Sequence, residues 1–130
     1  MNRDEVMEMS DETLRIRAAE LMGWRKSVEG SCLGRPRWLM IPPNGDEVDA
    51  VTCPNYPNDI AAAMEFVPLL IAEGYSVELS CWMTGVRYVA QCVAKRSDGD
   101  WDASATSLDN MDGLAPRAIT KAFIMAMEAE

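Results

Sequence analysis

The 130-residue chain contains no histidine. That absence removes the Ser-His and Cys-His nucleophile pairs, the common imidazole base and the usual zinc ligands, so most hydrolase chemistry loses its central residue. Neither a P-loop nor a G-x-G-x-x-G fingerprint occurs, which leaves nucleotide-cofactor enzymes of those kinds unsupported. No apolar run approaches the roughly 20 residues that cross a bilayer, and the N-terminus brings Asp4 and Glu5 rather than a basic region before an apolar stretch. The four cysteines, Cys32, Cys53, Cys81 and Cys92, show no C-x-x-C spacing. They read as free, mostly buried thiols of a reducing compartment; a secreted two-disulfide domain is the alternative, and a mass measured with and without reductant separates the two. The expectation from these absences is a non-enzymatic protein of the cytoplasm that needs no cofactor.

With 48% hydrophobic and 25% charged residues the chain lies well away from the disordered regime, and its length suits one domain over 1–130, with residues 1–9 expected to fray. The net charge of −9 makes general affinity for a nucleic-acid backbone unfavourable. The charge is uneven. Arg25, Lys26, Arg35 and Arg37 stand against Glu29 alone in residues 24–38, so that segment carries +3 and the remainder −12.

Ser10 followed by Asp11 and Glu12 predicts a capped helix with Leu14, Ala18 and Leu21 on one face, closed by Gly23. Residues 24–36 read as a loop or ragged hairpin that leads into a strand over 37–41, which Pro42-Pro43-Asn44-Gly45 ends. The turn over 53–59 predicts a second helix capped by Asn58 or Asp59, with Ile60, Met64, Val67 and Ile71 on its apolar face and Pro68 forcing a kink or a new start. From Tyr75 the period becomes two. Tyr75, Val77, Leu79 and Cys81 alternate with Ser76, Glu78 and Ser80, and a turn at Thr84-Gly85 leads to a strand over 87–95. A further turn at 97–100 leads to a third strand with Trp101, Ala103 and Ala105 on one side. Pro116 opens a last helix with Ile119, Ala122, Phe123, Ala126 and Met127 as its apolar face. The order α-β-α-β-β-β-α predicts an α+β fold, an antiparallel sheet of three to four strands packed with helices.

Several groupings are candidates for function. Asp98, Asp100, Asp102, Thr106 and Asp109 match oxygen-ligand offsets of a calcium loop, but Ala103 stands where the turn needs glycine and no Glu closes it, so a solvated hairpin turn is the expectation. The basic segment lies between Trp24 and Trp38, and guanidinium groups beside an aromatic face can hold a phosphate and stack a base. The opposing reading makes Trp24 the staple of a helix end and Trp38 a core residue. Tyr56 and Asn58 lie where a helix start exposes unpaired N–H groups. Arg117 opens the last helix at the wrong end for the helix dipole, so another group is expected to hold it, for which a carboxylate from the acidic loop would suffice. Met64, Met83, Met111, Met125 and Met127 read as core filler.

The run from Leu14 to Trp24, then Pro42-Pro43-Asn44-Gly45, then the run from Pro54 to Ile60, and finally the run from Leu114 to Ile119 together resemble the phage ABA-sandwich domain family. The ending is also similar to phage NinX-like proteins, in which a Pro and Arg pair opens the closing helix. The likeness spans nearly the whole chain and draws its specificity from the order of the motifs. It implies a small accessory protein of a phage or prophage in the bacterial cytoplasm, with no defined reaction. Proteins of that kind include agents that counter host immunity by sequestering a nucleotide-derived signal or by blocking a defence protein. On the first reading the chain, as a homo-oligomer, binds a small anionic nucleotide-like ligand. Arg25, Arg35 and Arg37 would then supply charge, Trp24 or Tyr56 would stack, and Asn58 and Arg117 would meet polar edges. On the second, it is an acidic inhibitor docked on a basic surface of a host protein, with nucleic-acid mimicry as one form this could take.

Overall fold

A computed structural model describes residues 3–26, 39–46, 49–97, 99–107 and 113–128. Within the stretch expected to fray, a short helix, α1 (Arg3–Met7), places Val6 fully in the core. Helix α2 (Asp11–Leu21) begins at Ser10, whose hydroxyl accepts a hydrogen bond from the Thr13 N–H at 3.2 Å. It ends on Gly23 at φ +99°, with the Trp24 N–H reaching the Ala19 carbonyl and the Gly23 N–H that of Glu20. That pair of bonds satisfies the last carbonyls and folds Trp24 back onto the core.

The ragged hairpin is present at its base. Strands β1 (Arg25–Lys26) and β2 (Leu39–Ile41) pair antiparallel, Arg25 opposite Ile41. A further short strand, β3 (Val51–Thr52), pairs with β2 and was not legible in the acidic segment around it. The described residues thus form two three-stranded sheets rather than one. The Pro42-to-Gly45 turn closes with a Gly45 N–H to Pro42 carbonyl bond of 3.0 Å, and Asn44 takes φ +68° at its third position.

The second predicted helix divides in two, α3 (Ile60–Ala63) and α4 (Phe66–Ala72). Asp59 caps the first, accepting from the Ala61 and Ala62 N–H groups. Pro68 sits at the third position of α4, where its missing N–H has no intrahelical partner to lose. The predicted face is reversed. Ile60, Met64 and Ile71 are exposed, and the buried positions are Ala63, Phe66 and Leu70. Two apolar stripes compete at helical spacing here, and the one containing Phe66 faces inward because its ring stacks on Phe123 at 4.0 Å and meets Tyr56 at 4.6 Å.

The meander forms as predicted: β4 (Ser76–Thr84), β5 (Arg87–Arg96) and β6 (Gly99–Ser107) lie side by side in that order. The register aligns Leu79, Cys92 and Ala103 across the three strands, and Cys81, Ala90 and Ala105 likewise. On β5 and β6 this inner face is largely small, with Ala90, Cys92, Ala94, Ala103 and Ala105 all buried. The small side chains let helix α5 (Leu114–Glu128) lie against the sheet, and α5 also contacts α1, α2, α3 and α4 on its other sides. The sequence marks one apolar face on α5, whereas every residue from Ala118 to Ala126 is buried, including Thr120 and Lys121. The helix is the middle layer of the molecule, between the meander and the other helices.

Candidate functional site

The residues assigned to an anion site separate into several places. Trp24 is half-buried and its side chain lies near that of Tyr56, so two of them do meet, but they meet inside the molecule. Tyr56 is 1% exposed, which leaves no ring face open for stacking. Burial, with Glu65 and Cys53 nearby, pushes its phenol up to about 12, against an opposing effect of the Trp24 side chain. Arg25 is exposed on β1 and donates to the Gly45 carbonyl. Arg35 and Arg37 lie outside the described residues.

Asn58 is exposed, and its amide donates to the Asn55 side-chain oxygen at 3.1 Å. It stands beside Gly113, at the start of α5, one turn before Arg117. Arg117 is held by a carboxylate, as its position demanded, but the carboxylate is that of Asp11 in the first turn of α2 rather than one from the acidic loop. The contact is bidentate, Nε to Oδ1 at 2.8 Å and Nη2 to Oδ2 at 2.9 Å. One turn further along α5, the buried Lys121 ammonium donates to the Met7 carbonyl at 3.2 Å. Burial, and then Arg117, lower the Lys121 pKa, while Asp11 raises it. This polar group ties α1 and α2 to the start of α5. No feature of the sequence pairs Asp11 with Arg117, because 106 residues separate them.

Three other described arginines have partners of their own in different parts of the molecule, and Arg87 is exposed at the start of β5. Arg15 donates to the Cys53 carbonyl, at 3.1 Å from Nε, and Arg17 pairs with Glu128. Arg96 lies over the Tyr75 ring at 4.4 Å and donates to the Glu73 carbonyl. Among the described residues the guanidinium groups therefore do not converge on one cavity. The calcium-loop offsets fall along the extended strand β6 from Asp100 to Thr106, an arrangement that cannot wrap an ion; Asp98 and Asp109 lie outside the described residues. No group of three or more acidic or cysteine side chains suited to a metal occurs among the described residues. None of the described helices is long and apolar enough to cross a membrane.

A different surface stands out. Nine large hydrophobic side chains are exposed among the described residues, and eight of them fall within 60–86. Ile60, Met64, Leu69 and Ile71 come from α3 and α4, and Leu79, Trp82, Met83 and Val86 from β4 and the turn after it. Helix α4 packs against β4, so the two groups come from adjoining elements; along β4, Leu79 and Met83 share one side of the sheet and Trp82 lies on the other. Met83 is 58% exposed and Val86 75%. Of the methionines expected in the core, Met125 is buried and Met127 partly so, whereas Met64 and Met83 lie on this surface and Met111 is outside the described residues. Cys53 and Cys92 are buried free thiols as expected, but Cys81 is exposed on the same surface, and Cys32 is outside the described residues. The signal that could have located this face was the second apolar stripe of 60–71, read as core because one-dimensional spacing does not rank two stripes. No protein-family model matches the chain, and neither a characterised protein nor a solved structure matches it.

Proposed function

We propose that this is a non-enzymatic protein-binding protein, of the small phage accessory kind that the resemblance implies, and that residues 60–86 form its docking surface. The observation that carries this reading is the gathering of eight exposed large apolar side chains in that one segment. A monomer rarely leaves a large continuous apolar patch in water, since each buried square ångström of it is worth about 25 cal/mol once covered. The excess of acid suits the same role: a chain of −9 approaches a basic partner faster than a neutral one would. A blocked host defence protein is the partner class that the resemblance suggests.

The test is co-purification from bacterial cytoplasm with the wild-type chain and with a Met64→Asp, Ile71→Asp variant. The expected result is a near-stoichiometric host protein that the wild type retains and the variant loses, with the variant's circular dichroism and melting unchanged. Identical recovery with both chains would end this assignment of the surface.

A second reading, sequestration of a small nucleotide-like anion, has one observation in its favour: Arg25 and Lys26 are both exposed on β1 beside half-buried Trp24. A thermal-shift panel of cyclic di- and trinucleotides and ADP-ribose derivatives checks it. A bound ligand raises the melting temperature, and a flat panel argues against this reading.

A further inference from the structure

The meander has two outer strands, and they differ. Strand β6 carries Asp100 and Asp102, charged residues of the sort that keep an open edge from pairing with another chain. Strand β4 runs nine residues with neither proline nor lysine, and its single charge, Glu78, already faces Lys95 of β5 at 3.6 Å. Among the described residues, no strand lies beside its backbone groups on the side away from β5 in the sheet order. An unguarded edge of this length is a template for one more strand.

The sequence of β4 indicates which strand. About Ser80 it is nearly palindromic in character: Ser76 corresponds to Thr84, Val77 to Met83, and Leu79 to Cys81. A two-fold axis through Ser80 would set these pairs opposite one another in an antiparallel ladder. Each apolar inner-face residue would meet an apolar one, and Glu78 would meet Trp82 of the second copy rather than another Glu78. Two-fold association demands this kind of self-complementarity, because one patch must serve both subunits. In a chain that repels its own copies through a charge of −9, the stretch 79–86 carries no charge at all. We infer that β4 pairs antiparallel with β4 of a second copy, joining two meanders into one six-stranded sheet. Leu79, Cys81 and Met83 would be covered in the process. The inference rests on the reading of 60–86 as a protein-docking face, and it names the partner for the strand portion of that face.

Sedimentation equilibrium across the micromolar range tests it, using the full chain, Met83→Lys and Ile71→Asp. Met83 is exposed in the single chain, so its substitution leaves the fold intact by circular dichroism, while a lysine on the strand blocks pairing. The expected result is twice the chain mass for wild type and a single chain mass for Met83→Lys. A short bismaleimide gives an independent reading in a Cys32→Ser background. Across the two-fold, the Cys81 residues become diagonal neighbours about 7–8 Å apart and cross-link, whereas Cys53 and Cys92 stay buried. A wild-type monomer would overturn the pairing, and so would a dimer that loses itself only in Ile71→Asp or that fails to cross-link at Cys81. The docking reading survives those outcomes as long as Ile71-dependent recovery of a protein persists. A dimer that survives both substitutions, without that recovery, removes both ideas.

Discussion

Helix α5 and the helix pair α3–α4 are both rich in apolar residues, yet they meet opposite fates. The first is enclosed on all sides, even at Thr120 and Lys121, whose polar groups reach the Pro116 and Met7 carbonyls. The second buries Ala63, Phe66 and Leu70 and leaves Ile60, Met64 and Ile71 in water. The difference shows that apolar content does not determine enclosure. What matters is how many neighbouring elements are available, and α5 has the meander on one side and four helices on the others.

The sharpest way to break that comparison is to empty one site in each helix. Phe123→Ala removes a ring stacked on Phe66 in the centre of the core and is expected to cost about 3–5 kcal/mol, read from the urea midpoint. Ile71→Ser, at 57% exposure, is expected to cost less than about 0.5 kcal/mol. Equal losses would mean that Ile71 is part of the core after all.

A smaller effect tests the enclosed side by pH. Tyr56 has a folded pKa of about 12 against an ordinary value of 10, so between those values the unfolded chain releases a proton that the folded chain keeps. Its contribution is therefore complete below pH 10 and is lost as pH rises through about 12, a loss of roughly 2–3 kcal/mol. Cys92, raised to about 12 by burial and then by Asp102, acts in the same direction from pH 9 upward. Urea titrations at alkaline pH are expected to show a shallower decline for Tyr56→Phe than for wild type. An unchanged slope would place the Tyr56 hydroxyl in water. The smallest change concerns Tyr75, whose buried hydroxyl has no hydrogen-bond partner among the described residues. Tyr75→Phe removes the orphaned group and is expected to raise stability by about 1 kcal/mol, whereas a loss would reveal a partner for it.

Much of the fold was legible because its signals are local. Ser10 as a cap, the αL glycines Gly23 and Gly74, the break at Pro68 and the period-two alternation of the meander each depend on a few neighbouring residues. Strand β3 was missed because two residues carry no periodicity, and α1 because an acidic start outweighed the lone Val6. The candidate site was less legible. The spacing that put Trp24, Tyr56 and Arg117 near functional positions could not reveal that the first two lie close together in the interior or that Asp11 takes up the third.

By itself the sequence determined an α+β chain with capped helices, a three-stranded meander and no imidazole chemistry, because propensity, capping and side-chain alternation act over a few residues at a time. Only the tertiary structure decided which of two apolar stripes on α3–α4 turned inward, that α5 became the middle layer, and that β4 was left as an open, almost uncharged edge. Those outcomes depend on contacts between residues distant in sequence, such as Phe66 with Phe123 and Arg117 with Asp11, and local spacing is blind to them.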